Sequence, residues 1–108
     1  LEFNGSLVIC SGDAADEADV ARCLKKVNGL WGGVDIAIHN ACICVFAPFN
    51  KTSEADMKRV HEVNFGGAVN LARWTLPIMK RQKYRLSVTK HDTQSISERK
   101  ILASGLSL

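Results

Sequence analysis

The pattern of apolar and polar positions predicts that the chain begins with a strand followed by a helix. Residues 6–10 (SLVIC) form a short run of strand-forming residues, and the Ser-Gly-Asp after them is typical of a turn. Asp16 can then cap a helix in which Val20, Leu24 and Val27 recur at helical spacing. A Gly-Gly pair soon after predicts the end of that helix.

The next two predicted elements are a second strand and a long helix. The apolar run 34–38 (VDIAI) predicts a buried strand, and Asn40 marks its exit because asparagine is poor inside strands and good at turns. After a loop with a proline, Thr52 or Ser53 can cap a helix that continues to residue 82. One face of this helix carries residues that step by three or four: Met57, Val60, Asn64, Ala68, Leu71, Thr75 and Ile78.

Asn64 interrupts the apolar character of that face. A buried amide without a partner is disfavoured in a helix, so Asn64 either lies at the end of the core nearest a site or marks an irregularity. Gly66 and Gly67 weaken the helix by about 1 kcal/mol each relative to alanine. The pattern therefore predicts an irregular turn near residue 64.

The order strand, helix, strand, helix is typical of a parallel α/β sheet, whose ligands gather at the carboxyl ends of the strands. Asp13 and Asn40 both follow predicted strands. Residues 1–82 are expected to form this partial doubly wound region. Residues 83–108 have no sustained period, so they predict an irregular tail in which RLSV (85–88) is the only weak candidate for a third strand.

Composition limits the class of protein. A chain of 108 residues is at most one small domain, and 46% apolar with 23% charged residues is ordinary for a soluble globular protein. No apolar run approaches the roughly 20 residues of a membrane helix, and no signal-peptide pattern is present. We therefore expect a cytoplasmic protein with no membrane partner.

The charge of the chain is uneven. Residues 1–79 carry seven Lys or Arg against nine acids, whereas residues 80–108 carry seven against two. Such a basic tail can bind nucleic acid, but it contains a single aromatic residue, Tyr84, and no organised motif. Solvated charge is the favoured interpretation, and nucleic acid is not the expected partner.

The four cysteines, Cys10, Cys23, Cys42 and Cys44, are predicted to be reduced thiols in the core, because no secretory feature accompanies them. A metal site built from His39, Cys42 and Cys44 is the alternative. It lacks a Cys-x-x-Cys element, so we predict no metal site.

Three segments together resemble the middle of a short-chain dehydrogenase/reductase, a family of NAD(P)-dependent oxidoreductases with a Rossmann fold. They are Asp13 after the first strand, GGVDIAIHNAC, which is similar to the family's Asn-Asn-Ala-Gly segment, and HEVNFGGAVNLARWTLPIMKRQ, which is similar to its fourth helix. The resemblance covers about residues 6–82. It implies an α/β, partial Rossmann-like fold of βαβα order and NAD or NADP as cofactor.

The resemblance also implies roles for five residues. Asp13, with Ala14 beside it, would approach the adenine ring, and Asn40 with Ala41 would line the ribose side of the cofactor. Asn64 matches the family's catalytic asparagine, which supports a water in the proton relay. Interpreted without the family, Asp13 is a turn residue or helix cap, Asn40 ends a strand, and Asn64 marks a helix kink with its amide satisfied locally.

The sequence departs from the family pattern where the chemistry is concentrated. His39 replaces the first asparagine and Cys42 the glycine of the family's Asn-Asn-Ala-Gly segment. The glycine-rich phosphate loop has no counterpart, and four residues after Tyr84 stands Val88 rather than lysine. The two predicted strands correspond to strands 3 and 4 of the order 3-2-1-4-5, which are not neighbours, so they must pair directly or leave open edges.

These features predict a fragment of an NAD(P)-dependent oxidoreductase that interconverts small alcohols and carbonyl compounds in the intact parent and is inactive alone. The alternative is a non-catalytic interaction protein that pairs with another copy, or with a full-length relative, through the long helix of residues 53–82.

Overall fold

The computed structural model describes residues 6–82 and the backbone of residues 87–89 and 101–104. Helices and strands follow one another as α1 (Glu17–Trp31), β1 (Ile36–His39), a short 3₁₀ turn (Phe49–Lys51), α2 (Glu54–His61), a π turn (Glu62–Gly66), α3 (Gly67–Arg81), β2 (Ser87–Thr89) and β3 (Ile101–Ser104). Among these residues, no helix combines the length and the apolar character needed to cross a membrane.

β1 is the middle strand of a three-stranded parallel sheet with the order β2-β1-β3. Ile38 lies opposite Val88 on one side and Ala103 on the other. The predicted strand 34–38 is therefore confirmed in position and shifted by one residue at its end. A parallel α/β arrangement is likewise confirmed.

The prediction of a strand at residues 6–10 is wrong. This segment has no regular secondary structure and forms no ladder with the described residues, and Leu7 and Ile9 are 70% and 81% exposed. A strand requires backbone partners, and both edges of β1 are paired with β2 and β3. The two apolar runs therefore do not pair with each other, and the observed order starts with a helix.

The prediction of an irregular tail is wrong for the two tail segments that the structure describes. β2 overlaps the weak candidate RLSV, and β3 lies in a segment for which the sequence predicted no strand. Both strands gain their stability from pairing with β1, a long-range relationship that local periodicity does not contain. The other residues of 83–108 lie outside the described part of the chain.

α1 begins and ends as the sequence predicts. The Asp16 side chain accepts a hydrogen bond from the Ala18 amide at 2.9 Å and satisfies one free donor of the first turn. Gly32 adopts a left-handed conformation with φ of 70°, and its amide donates to the Asn28 carbonyl at 2.8 Å. A residue with a Cβ is strained in this conformation, which explains the glycine.

The core lies where α1 and α3 pack against each other and α3 packs against β1. Its buried apolar residues are Leu24, Val27, Val34, Ala37, Leu71, Ile78 and Met79. Glu17 joins the two helices at their rim, because its carboxylate accepts from Arg73 at 3.0 Å and from the indole Nε1 of Trp74 at 3.1 Å.

The irregular turn predicted near residue 64 is confirmed as the π turn between α2 and α3. A π turn inserts an extra residue into the helical ladder, so the faces before and after it are out of phase. The predicted apolar face is therefore correct in α3, where Leu71, Thr75 and Ile78 are buried. It fails in the turn itself, where Val63 is buried, and in α2, where Met57 is half exposed.

Candidate functional site

The side chain of Asn64 is fixed to the loop that follows β1. Its Oδ1 accepts a hydrogen bond from the Ile43 amide at 2.9 Å, and its Nδ2 donates to the Ile43 carbonyl at 3.0 Å. The side-chain amide thus bonds both backbone groups of Ile43, as the backbone of a neighbouring strand would. The two bonds hold the loop and the helix in a fixed relative position. The amide is satisfied, but by a residue of another segment, 21 positions away in the chain, and not locally as the interpretation without the family expected.

The π turn also changes the surroundings of the Asn64 main chain. Nε2 of His39 lies 3.2 Å from the Asn64 carbonyl oxygen. A carbonyl only accepts, so this contact assigns the proton to Nε2. His39 is the last residue of β1, and it therefore connects the carboxyl end of the strand to the irregular turn of the helix.

Gly67 permits this close packing. A Cβ at residue 67 would lie 2.8 Å from Cε1 of His39 and 3.3 Å from Cβ of Ala14. The absence of a side chain thus lets the helix approach both the end of β1 and the turn before α1. Ala14, His39 and Asn64 are brought together around this glycine.

Asp13 lies in the turn before α1 with both carboxylate oxygens engaged. Oδ1 accepts from the Ala15 amide at 2.9 Å, and Oδ2 pairs with Nη2 of Arg59 at 2.6 Å. The hydrogen bond from Arg59, followed by the one from Ala15, lowers the pKa of Asp13 below its usual value. Its own amide donates to Oδ2 of Asp19 at 2.9 Å, which anchors the turn to α1.

Asn70 is a residue of the site that sequence reasoning missed. Its side chain is buried in α3, and Nδ2 donates to the carbonyls of Ala14 and Ala15 at 3.1 and 3.2 Å. The amide thereby holds the Asp13 turn against the helix. An amide within an otherwise apolar helical stretch was the available signal, and the same signal had singled out Asn64.

Asn40 and Ala41 continue directly from the end of β1. Ala41 is buried, whereas Asn40 is half-buried, and its side chain makes no hydrogen bond to any residue that the structure describes. Asn40, Ala41 and Asn64 therefore lie at the carboxyl end of β1, and Ala14 comes close to the same place across Gly67. Asp13 lies in the adjoining turn, where Arg59 and Ala15 hold its carboxylate.

The cysteines do not lie in the core as predicted. Cys42 and Cys44 are exposed in the loop after β1, and Cys10 and Cys23 are half-buried near α1. The residue pattern around Cys10 misled the prediction, because the apolar run to which it belongs lies on the surface. Across the described residues, no three His, Cys, Asp or Glu side chains form a group that could hold a metal ion.

Comparison with known proteins agrees with this geometry. Residues 2–101 match the family described as enoyl-(acyl carrier protein) reductase. The chain is 36% identical over 78 residues to retinol dehydrogenase 8 of Bos taurus, a match that covers 72% of this chain and 24% of that protein. The chain belongs to the short-chain dehydrogenase/reductase family.

Two solved structures show the same fold. A short-chain dehydrogenase from Streptomyces avermitilis is 25% identical with a TM-score of 0.67, over 73% of this chain and 29% of that chain. A 3-ketoacyl-ACP reductase from Sinorhizobium meliloti is 23% identical with a TM-score of 0.76, and the match covers 80% of this chain and 34% of that chain. The chain spans about a quarter of the length of the curated relatives that it matches.

The described residues fit a dinucleotide only in part. Asn40 and Ala41 lie at the carboxyl edge of the sheet, where ligands of such folds bind. The carboxylate of Asp13, however, is already paired with Arg59, which a ligand amine would have to displace from Oδ2. The 108 residues contain no glycine-rich loop to receive a pyrophosphate. The described residues therefore place polar groups at the carboxyl end of β1, and the 108 residues supply no glycine-rich turn beside them.

Proposed function

We propose that this chain is the part of an NAD(P)-dependent oxidoreductase that carries the adenine-side turn, the exit of a central strand and the helix with the catalytic asparagine. The observation that supports this most strongly is the amide of Asn64 held on the backbone of Ile43. That contact fixes a helix residue beside the carboxyl end of β1, where chemistry in this fold takes place.

In this proposal each candidate residue has a position along the cofactor. Asp13 and Ala14 approach the adenine ring, and Asn40 and Ala41 line the ribose side. Asn64 supports the water of the proton relay through its carbonyl, which the π turn leaves open to a side contact. In this chain that contact is made by His39, at 3.2 Å.

The reaction of the complete protein would be the interconversion of a small alcohol and a carbonyl compound, in which bound NAD or NADP supplies the hydride chemistry. Retinol dehydrogenase 8 and galactitol 2-dehydrogenase are relatives whose names denote such reactions. This chain alone is proposed to be inactive, because its 108 residues contain no Tyr-x-x-x-Lys pair to donate the proton. A cytoplasmic location remains part of the proposal.

A segment exchange tests the proposal. The stretch of this chain that aligns with bovine retinol dehydrogenase 8 is transferred into that relative, and oxidation of retinol is measured with NAD and with NADP. We expect a folded chimera that turns over. We expect N64A to lower its kcat by about 100-fold, because loss of the two hydrogen bonds to Ile43 releases the π turn and displaces the Asn64 carbonyl from the proton relay.

Asn50→Ala in the same chimera is the matched control, because Asn50 is exposed in the short 3₁₀ turn. Circular dichroism and KM, measured in parallel, separate a loss of turnover from a loss of folding. A folded chimera that binds neither cofactor, or whose kcat falls equally with N50A and N64A, would contradict the proposal. Fluorescence titration of the present chain with NADH reports whether the chain alone has any affinity for this cofactor.

A second candidate function is supported by the outer face of the long helix. Phe65 and Leu76 are 60% and 44% exposed and stand eleven residues apart, about three helical turns, which places them on one line. The ring of His61 stacks on Phe65 with centroids 5.1 Å apart. An exposed apolar line of this kind is typical of an interface, and we propose pairing with another copy or a full-length relative.

Size-exclusion chromatography with and without a full-length relative tests this pairing. We expect the chain to elute as a complex, and F65E with L76E to return it to the monomer position. R81E, on an exposed residue at the end of α3, changes charge without removing apolar surface and is expected to leave the complex intact. Monomer under both conditions would refute the pairing.

A further inference from the structure

α2 is the helix that contributes least to the core. None of its eight residues is buried, and Met57 is 50% exposed. The helices before and after it in the chain, α1 and α3, both carry buried residues. A helix as short as α2 is marginal in water without tertiary contacts. Its position and its helical conformation therefore depend on few interactions with the remainder of the protein.

One side chain of α2 makes a polar contact with a distant segment. Nη2 of Arg59 donates to Oδ2 of Asp13 at 2.6 Å, and the two residues are 46 positions apart in the chain. Among the described residues, the other hydrogen bonds and ion pairs of α2 side chains are formed with residues three or four positions away. The pair of Arg59 with Asp13 is thus the polar contact that joins α2 to the turn before α1.

The turn that carries Asp13 is held independently of α2. Oδ1 of Asp13 accepts from the Ala15 amide at 2.9 Å, and the Asp13 amide donates to Oδ2 of Asp19 at 2.9 Å. The buried Asn70 of α3 donates to the carbonyls of Ala14 and Ala15. These contacts keep the turn in place without Arg59, so α2 is the side of the ion pair that can move.

The π turn sets a boundary at the carboxyl end of α2. Val63 in this turn is buried, and the Asn64 amide is bonded to both backbone groups of Ile43. The chain is therefore anchored to the core from Val63 onward. A π turn also interrupts the α-helical hydrogen-bond register, and such interruptions often lie at functional positions of helices. Movement of α2 is thus expected to end at this turn.

We propose that α2 is a hinged segment that opens about the π turn while α1, α3 and β1 stay packed, and that the pair of Arg59 with Asp13 is the latch that holds it closed. The term latch denotes this ion pair alone. Opening separates Nη2 of Arg59 from Oδ2 of Asp13 and leaves α2 attached through the π turn and the loop that precedes Ser53.

An open α2 changes what the Asp13 carboxylate can bind. In the closed form its two oxygens accept hydrogen bonds from Ala15 and Arg59. Opening frees Oδ2 for a ligand group that donates a hydrogen bond, such as the exocyclic amine of an adenine ring. This consequence rests on the proposed function, which assigns adenine to Asp13, whereas the latch itself does not. Arg59 would then compete with the cofactor for one oxygen atom.

Hydrogen exchange of the present chain tests the latch without any nucleotide. Amides of a segment that opens locally exchange in proportion to its open population, and α2 loses its contacts when it opens. Both side chains of the pair are partly exposed, so we expect R59M to accelerate exchange within residues 54–61 by about fivefold, the upper end for such a pair. Exchange in α1 and α3 should not change.

Lys58→Met is the matched control, because it removes the neighbouring positive charge and only a local pair with Glu62 at 3.7 Å. We expect K58M to accelerate exchange in α2 by no more than about twofold. Concentrated sodium chloride should accelerate exchange of α2 in the wild type and have less effect in R59M.

Asp13→Asn tests the same contact from its other side. D13N should accelerate exchange in α2 as R59M does, and the double variant R59M/D13N should exceed neither single variant by much, because one contact is lost in all three. Circular dichroism of each variant verifies that exchange is measured on folded protein.

The chimera with retinol dehydrogenase 8 tests the consequence for the cofactor. Because the open form is the one that offers Oδ2, R59M should lower the Kd for NADH by up to about fivefold. K58M, which removes a positive charge without opening the latch, should leave the Kd unchanged or raise it. If the unsubstituted chimera binds no NADH, the proposed function fails, and hydrogen exchange still decides whether the latch exists.

Three results would overturn the proposal. They are equal exchange rates of α2 in R59M and K58M, acceleration in R59M that extends equally through α1 and α3, and additive effects of R59M and D13N. In a chimera that binds NADH, a Kd that rises equally in R59M and K58M would refute the competition between Arg59 and the cofactor.

Discussion

The amide of Asn64 binds both polar groups of the Ile43 backbone, at 2.9 Å to the nitrogen and 3.0 Å to the oxygen. These two hydrogen bonds therefore hold the π turn of the long helix and the loop after β1 in a fixed relative position. Removal of the amide leaves a partly buried donor and acceptor without partners, which costs more than the bonds themselves contribute.

Asn64→Ala is expected to lower the free energy of unfolding by about 2–3 kcal/mol, because two part-buried backbone groups lose their partners together. The measurement is urea unfolding followed by circular dichroism, with amide hydrogen exchange at Ile43. Exchange at that amide should accelerate in the variant. Asn50→Ala, exposed and outside this contact, should change neither quantity; equal effects of the two variants would contradict the role assigned to Asn64.

The two adjacent glycines of the helix are expected to respond oppositely to alanine. At Gly66 a new Cβ would meet only a carbonyl oxygen at 3.9 Å, so G66A should be neutral or stabilise by up to about 1 kcal/mol through helix propensity. At Gly67 the Cβ would lie 2.8 Å from the His39 ring and 3.3 Å from Ala14. G67A should therefore destabilise by about 1–3 kcal/mol through overpacking.

Thermal unfolding of the two glycine variants is the measurement, and each serves as the control for the other. Loss of the His39 contact to Asn64 should accompany G67A alone, and it can be followed through the NMR resonances of the imidazole ring. If G67A were as stable as G66A, the close approach at the site would not be real.

Gly33 and Gln82 form a coupled pair at the start of β1. Gln82 accepts from the Val34 amide at 2.8 Å and donates to Asp35 at 3.1 Å, while a Cβ at Gly33 would lie 2.6 Å from its terminal carbon. G33A should displace the Gln82 side chain and cost about 1–2 kcal/mol for the lost hydrogen bonds.

Gln82→Ala removes the same bonds directly, so a double-mutant cycle measured by urea unfolding should be clearly non-additive. Adding G33A to Q82A is expected to lower the free energy of unfolding by no more than about 0.5 kcal/mol, because the Gln82 side chain that G33A would displace is already absent. Additive losses would show that Gly33 acts through another contact.

The ion pair of Asp13 and Arg59 is expected to make stability depend on pH and salt. The pKa of Asp13 is lower in the folded state than its ordinary value of 3.8. The ion pair therefore contributes fully to the free energy of unfolding above pH 3.8, and this contribution is lost as the pH falls through the lowered pKa. Both side chains are partly exposed, so R59M should cost at most about 1 kcal/mol at neutral pH.

Unfolding measured in urea as a function of pH checks this. The difference between wild type and R59M should vanish as Asp13 becomes protonated, and it should shrink in concentrated salt at neutral pH. Lys58→Met, which removes a looser and more exposed pair with Glu62 at 3.7 Å, is the matched control and should have less effect. A difference that persists at low pH would mean that Arg59 stabilises the protein without its carboxylate partner.

The local signals in the sequence predicted local features well. The cap at Asp16, the end of α1 at Gly32 and the irregular turn at Asn64 were all inferred from residues that act within one or two turns of helix. Each depends on backbone groups that neighbours in sequence can satisfy. Residues 6–10 failed because an apolar run becomes a strand only when another strand pairs with it.

In the candidate site, too, local signals in the sequence identified some residues and missed the contacts between distant segments. Asn40 and Asn64 were identified as polar residues at the end of a strand and on an apolar helix face. Asn70 was missed although it carries the same signal, and the contact of His39 with Asn64 and Gly67 had no signal in the sequence.

By itself, the sequence determined α1, the position of β1, the long helix with its break and the family to which the chain belongs. Those features follow from periodicity, caps and motifs, which are properties of neighbouring residues. Only the tertiary structure decided that β2 and β3 flank β1, that Arg59 pairs with Asp13, and that the Asn64 amide binds the Ile43 backbone. These are contacts between distant segments, and their free energy exists only once the core has brought the segments together.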